Sequence, residues 1–231
     1  MDYKELFLDV LNNTFLSKGI EFHEGHNDSF MNYVNNYFPN FFTHAYGASK
    51  FVLIPKDPKI PYVIKIPYTG SYYEEASYLT KTGYYSGRHE YIEFFQAENN
   101  ERNWDYCAVE VERYNIATQY DLEKYFAKTQ LLDFVRGYPV YIQERGITFS
   151  GSRNSHVHSH LDILKTIKEI PLFYHINQDW LTDFRLCYGT EELKIFIDFI
   201  QKLNWDDDLR NENIGYINNL PVIIDYSSFN E

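Results

Sequence analysis

Three oxygen-bearing side chains near the end of the chain have the types and spacing for cation chemistry. Asp208 and Asn213 lie five residues apart in the polar stretch that begins Asp206-Asp207-Asp208, and Asp225 follows the apolar run Val222-Ile223-Ile224. Between them stands Asn218-Asn219. Asparagine tolerates positive φ, so this pair predicts a tight turn joining two short strands. Such a hairpin would gather two carboxylates and an amide at strand ends. Magnesium takes oxygen ligands and is held by one or two carboxylates together with substrate phosphates. The chemistry expected is therefore magnesium-assisted handling of phosphate, and the plainer alternative is a surface hairpin with scattered acids.

Asp208-Leu209-Arg210-x-x-Asn213 resembles the catalytic loop of protein kinases, D-[LI]-[KR/H]-x-x-N. Asp225-Tyr226-Ser227 is similar to the D-F-G metal-binding triplet, with Phe and Gly replaced. The His-Arg that usually precedes the loop aspartate is absent, and Asp206-Asp207 stand there. The resemblance implies that ATP is the phosphoryl donor and that Asn213 and Asp225 hold Mg2+. It implies that Asp208 orients or accepts the acceptor's proton, and that Arg210 stabilises charge on the transferring group. Upstream, Val63-Ile64-Lys65 resembles the kinase strand whose lysine contacts the α/β-phosphates. Gly47-Ala48-Ser49-Lys50 then corresponds to a reduced glycine-rich loop, with one glycine for three and Ser49 or Lys50 compensating. Glu110 is the acid expected to pair with Lys65, with Glu75 and Glu93 as rivals. Gln143, Glu144 and Arg145 would offer backbone groups to adenine, with Ile142 near the gatekeeper position. Six residues follow Asp225, so an activation segment and the helical half-lobe that holds a peptide substrate are expected to be missing.

The elements that must position these residues follow from periodicity. Residues 2–42 read as helical, with Leu6, Val10 and Phe15, then Phe30, Val34 and Tyr37, at roughly helical spacing, broken at Lys18-Gly19 and Gly25-His26-Asn27-Asp28. Strands are expected at 51–54 and 62–66. Residues 70–103, rich in Tyr, Glu and Asn, read as an insertion with some helix. Trp104 to Tyr120 returns to helix, with Glu110 on the face of Cys107, Val111 and Tyr114; an acid facing inward wants a cation. Arg136-Gly137 reads as a turn, and 139–145 as a strong strand. His156, His158 and His160 alternate as on one strand face and could bind zinc or nickel. No Cys or carboxylate pattern completes the set, so a solvated loop is the better reading. Residues 161–168 form an amphipathic helical piece, and Asp179-Trp180-Leu181 starts or joins another. Leu193, Phe196, Ile197, Ile200 and Leu203, broadened by Ile195 and Phe199, predict a buried helix with Thr190 able to cap it.

Assembled, the reading is an α+β, bilobal protein-kinase-like fold: a small antiparallel-sheet N-lobe and a reduced helical C-lobe. The divisions expected are an N-terminal helical extension at 1–42, an N-lobe at 43–145 and a minimal C-lobe at 146–231. The likeness is to the small, divergent kinase-like proteins of bacteria and their phages. The net charge of −12 argues against a nucleic-acid backbone binder, which needs a basic footprint. Two cysteines without metal spacing suit a reducing compartment. With no signal peptide and no run able to span a bilayer, a cytoplasmic protein without a membrane partner is expected. Two functions fit: a minimal Mg-ATP phosphotransferase with an unknown protein, nucleic-acid or self acceptor, or a pseudokinase interaction module that modulates a host protein.

Overall fold

The computed structural model describes residues 2–14, 20–23, 34–47, 49–80, 83–95, 105–149, 176–205 and 209–227. They form a mixed α+β fold with antiparallel sheets and several helices. The chain divides into two compact units, Met1–Val109 with Thr129–Gln143, and Glu110–Lys128 with Glu144–Glu231.

In the first unit, α1 (Tyr3–Thr14) is followed by β1 (Ile20–His23), β2 (Phe42–Tyr46), β3 (Lys50–Pro55), β4 (Tyr62–Thr80) and β5 (Gly83–Phe94). After an excursion into the second unit come β6 (Thr129–Val135) and β7 (Tyr138–Glu144). The sheet runs β1-β5-β4-β3-β2, and β7 pairs with both β4 and β6. The long β4 serves two neighbours in turn. Ile64 to Pro67 pair with β3, Tyr68 to Thr80 pair with β5, and a bulge between Tyr68 and Gly70 marks the change.

Strand alternation gives this sheet two unlike faces. Phe51 and Leu53 of β3, Ile64 and Ile66 of β4, and Tyr138, Val140 and Ile142 of β7 join one apolar core. Phe7 and Leu11 of α1 close that core together with Val34, Phe38 and Phe42. Each of these large side chains contributes about 1.5–3 kcal/mol by leaving water. The opposite face carries the alternate residues of the same strands: Lys50 and Val52, Val63 and Lys65, Tyr141 and Gln143. In β6 the alternation is interrupted by a bulge between Leu131 and Asp133, which turns Leu132 inward and leaves Leu131 and Phe134 exposed.

Two expectations are corrected here. Residues 2–42 are not helical throughout, because 20–23 form a strand paired with β5. Residues of the expected extension also supply part of the sheet's own core, so α1 packs as a layer on it. Residues 70–94 hold no helix among those described; they form the outer arms of the β4–β5 hairpin. Aromatic residues favour the pleated surface, and tyrosines recur along both arms.

The second unit is entered within α2 (Tyr106–Gln119), after Val109. A 3-10 turn follows at Glu123–Tyr125. Then come β8 (Ile147–Thr148), α3 (Gln178–Tyr188), α4 (Thr190–Lys202), β9 (Ile214–Ile217) and β10 (Leu220–Ile223). The small antiparallel sheet runs β10-β9-β8. Trp180, Phe184, Phe196 and Phe126 anchor its aromatic core. Asn218 and Asn219 adopt φ of 52° and 64°, the left-handed turn read from sequence. Gly215 is required by crowding: a Cβ there would stand 2.2 Å from the Ile147 carbonyl oxygen and 2.4 Å from Ile224. The buried helix α4 forms as expected, with two amendments. Gly189, not Thr190, occupies its N-cap, and Ile195 lies half exposed outside the stripe. Asn177 caps α3 by accepting from the Asp179 and Trp180 amides. No helix among the described residues is long and apolar enough to cross a membrane.

Candidate functional site

The polar face of the first unit's sheet is buried. Lys50 and Lys65 are each 3 % exposed. In the β3–β4 register Lys50 opposes Pro67 and Val52 opposes Lys65, so the two lysines are diagonal neighbours on one face. Diagonal positions on paired strands lie about 7–8 Å apart, within reach of long side chains. Gln143, fully buried, donates its amide to the Thr129 hydroxyl at 2.7 Å. Tyr141 donates its hydroxyl to Asp105. The other carboxylate oxygen of Asp105 accepts the Cys107 and Ala108 amides at 2.9 and 3.0 Å, capping α2. Burial raises the Asp105 carboxyl above its ordinary value, against the hydrogen bonds it accepts and the charge of Lys50. Burial, followed by that bond to Asp105, pushes the Tyr141 hydroxyl well above the usual tyrosine range.

The β2–β3 turn closes one end of this face. The Gly47 amide donates to the Lys50 carbonyl at 3.1 Å, and the Tyr68 amide to the Ser49 carbonyl at 3.1 Å. The Tyr68 hydroxyl donates to the Gly47 carbonyl. Ser49 is buried and Gly47 exposed. Burying an ammonium costs several kcal/mol unless anions and hydrogen bonds compensate. Lys50 and Lys65 stand on one sheet face, and the charge of Lys50 acts on the Asp105 carboxyl.

In the second unit the hairpin brings Asn213 and Asp225 together through their backbones. The amides of Ile224 and Asp225 both donate to the Asn213 carbonyl, at 2.7 and 3.1 Å. The Asn213 amide in turn donates to the Arg210 carbonyl at 3.0 Å. Arg210 itself is exposed. Ser227 donates to the Asp225 carboxylate at 3.2 Å. Tyr226, in the place of the triplet's Phe, is buried and donates its hydroxyl to the Ala127 carbonyl at 2.6 Å. An amide and a carboxylate at one strand end are hard oxygen donors, a set that fits magnesium carried in on substrate phosphates. Among the described residues no group of three or more His, Cys, Asp or Glu could hold a metal ion.

Of the remaining residues read from sequence, Glu110 is fully buried on α2. Its rivals Glu75 and Glu93 lie on strands β4 and β5, so Glu110 alone of the three stands on a helix. Glu144 ends β7, where its amide donates to the Lys128 carbonyl and its carboxylate accepts the Lys128 amide. Arg145 follows, half-buried. Ile142 faces the apolar core. Asp208, with Asp206 and Asp207, lies outside the described residues, as do Ala48, the three alternate histidines and residues 161–168.

Asp105, Tyr141 and Arg113 were not singled out in the sequence, although each is tied to the candidate residues. An aspartate two residues before the Cys107 amide is a readable cap signal. Tyr141 carries no such signal, because its partner is 36 residues distant. Comparison with protein-family models, curated proteins and solved structures finds no match to this chain.

Proposed function

We propose that the protein is a minimal kinase-like phosphotransferase that uses Mg-ATP, on a bilobal kinase-like fold with a reduced C-lobe. The observation that carries this reading is Lys65, 3 % exposed on a polar sheet face and diagonal to Lys50. Lys65 and Lys50 take the phosphates, and Gln143, Glu144 and Arg145 offer backbone groups near the base. Asn213 and Asp225 are the residues that would hold magnesium, which neutralises phosphate charge when bound. Asp208 orients the acceptor hydroxyl or takes its proton, and Arg210 offsets charge on the transferring group. Glu110 is the acid assigned to Lys65. Catalysis of this kind is mainly positioning and electrostatic stabilisation. Support comes from the order of elements along the chain: a turn bearing Gly47, the Lys65 strand, a helix with a buried glutamate, two strands, a buried helix and a hairpin ending in Asp225.

One observation favours a nucleotide-binding or non-catalytic interaction module instead. Ser227, in the place of the triplet's glycine, bonds the Asp225 carboxylate and competes with a metal for its lone pairs. Thermal melting with and without Mg-ATP separates the readings. At a hundredfold excess over Kd, binding contributes about 2.7 kcal/mol, a rise of roughly 5–10 °C for a chain of this size. Asp225→Ala is expected to abolish the magnesium-dependent part. Absence of any rise with any nucleotide would leave only the interaction module. Transfer of labelled phosphate, lost in Asp208→Ala, distinguishes the enzyme from a binding pseudokinase.

A further inference from the structure

Arg113 lies on α2, one turn beyond Glu110, and is 8 % exposed. Its guanidinium donates to the Tyr226 carbonyl at 2.5 Å. The same group lies over the Trp205 ring, 4.9 Å from the centroid. Trp205 is the last described residue before 206–208, and Tyr226 follows Asp225 directly. One planar cation therefore grips the strand-end triplet and the residue that leads into the Asp208 loop. On the other side of Asp225, the backbone is held by the Asn213 carbonyl, which accepts the Asp225 amide. The Tyr226 side chain is fixed independently through Ala127.

From this geometry we infer that Arg113 is a positioning residue for magnesium-nucleotide binding. It fixes the peptide on the C-terminal side of Asp225 and ties α2 to Tyr226 and Trp205. The inference rests on the phosphotransferase reading and deepens it, since Arg113 itself touches neither metal nor phosphate in this role. Arginine suits the task because its flat fork hydrogen-bonds in plane while its face stacks on an aromatic ring, a pairing lysine reproduces poorly. Residues that orient a ligand to a metal typically alter metal affinity by about 10–100-fold when replaced.

The test uses the full chain as wild type, Arg113→Met and Arg113→Lys. Calorimetric titration with a non-hydrolysable ATP analogue is done in excess magnesium and again in chelator, with melting temperatures recorded alongside. Arg113→Met is expected to weaken binding in magnesium roughly tenfold or more while changing magnesium-free binding by less than about twofold. Arg113→Lys is expected to recover only part of the loss, and it carries the test should the Met variant fail to fold. Equal losses with and without magnesium would make Arg113 a plain structural residue and overturn the inference. Unchanged binding in both conditions would overturn it too, leaving the phosphotransferase reading intact. A wild-type protein that binds the analogue in neither condition sinks that reading, and the inference with it.

Discussion

Gly47 stands where the kinase resemblance puts a loop that covers phosphates with backbone amides. Its amide already donates to the Lys50 carbonyl, and a Cβ added to it would meet nothing within 4 Å. Its φ is not in the left-handed region, so alanine is unstrained there. On the proposed reading, phosphates on this face would meet the side chains of Lys50 and Lys65 in place of loop amides. Gly47→Ala is expected to change neither melting temperature nor nucleotide affinity beyond about twofold. Lys50→Met should weaken binding roughly tenfold or more, the scale of a lost hydrogen bond to a charged group. Isothermal titration with both variants checks this, and the reverse ranking would return the phosphates to the loop amides. The contrast also marks what single residues disclose. Asn218-Asn219 was legible because φ preference is local. The pairing of Lys50 with Lys65 on one face was not, because it depends on the register of two strands.

Elements were legible where the period of apolar residues is strong and self-contained. Helix α4 is such a case, with Leu193, Phe196, Ile197 and Ile200 buried along one side. The outer β4–β5 hairpin is the opposite case. Its Tyr, Glu and Ser residues have no clear two-residue apolar alternation, and its strands are defined by one another. Strand β1 needs β5 in the same way. Helix α2 lies between these extremes: its span was readable, but the role of its cap was not. Asp105 closes its first turn while bonding Tyr141 of β7, and burial raises its carboxyl above the ordinary 3.8. A raised carboxyl means that folding favours the protonated form. That contribution is full below the ordinary value and is lost as pH rises through the folded value. Asparagine keeps the cap, since Asn and Asp serve equally there, but cannot ionise. Relative to Asp105→Asn, the wild type is therefore expected to lose stability as pH is raised from about 3 to 7. Urea unfolding of both proteins across that range reads the difference, and a gap that stays constant or widens in favour of the wild type would contradict it.

The two compact units are not consecutive pieces of chain. The polypeptide passes between them after Val109, after Lys128 and after Gln143, so neither can be cut out as one fragment, and the whole chain is the proper object of experiment. Each unit has its own aromatic core, with Phe7 fully buried in the first and Phe184 in the second. Phe7→Ala and Phe184→Ala should each cost roughly 3–5 kcal/mol, one in each core. The proposed roles are divided in the same way: Lys50 and Lys65 belong to the first unit, Glu110, Asn213 and Asp225 to the second. Anything that binds only the native state shifts its unfolding by mass action, whichever unit supplies the contacts. Mg-ATP is therefore expected to raise the melting of the Phe7→Ala and Phe184→Ala variants alike in scanning calorimetry. Without magnesium the rise is expected to shrink in both variants, because Asn213 and Asp225 then have no metal to hold. A rise of the same size with and without magnesium would leave Lys50 and Lys65 as an anion site and remove Asn213 and Asp225 from the chemistry.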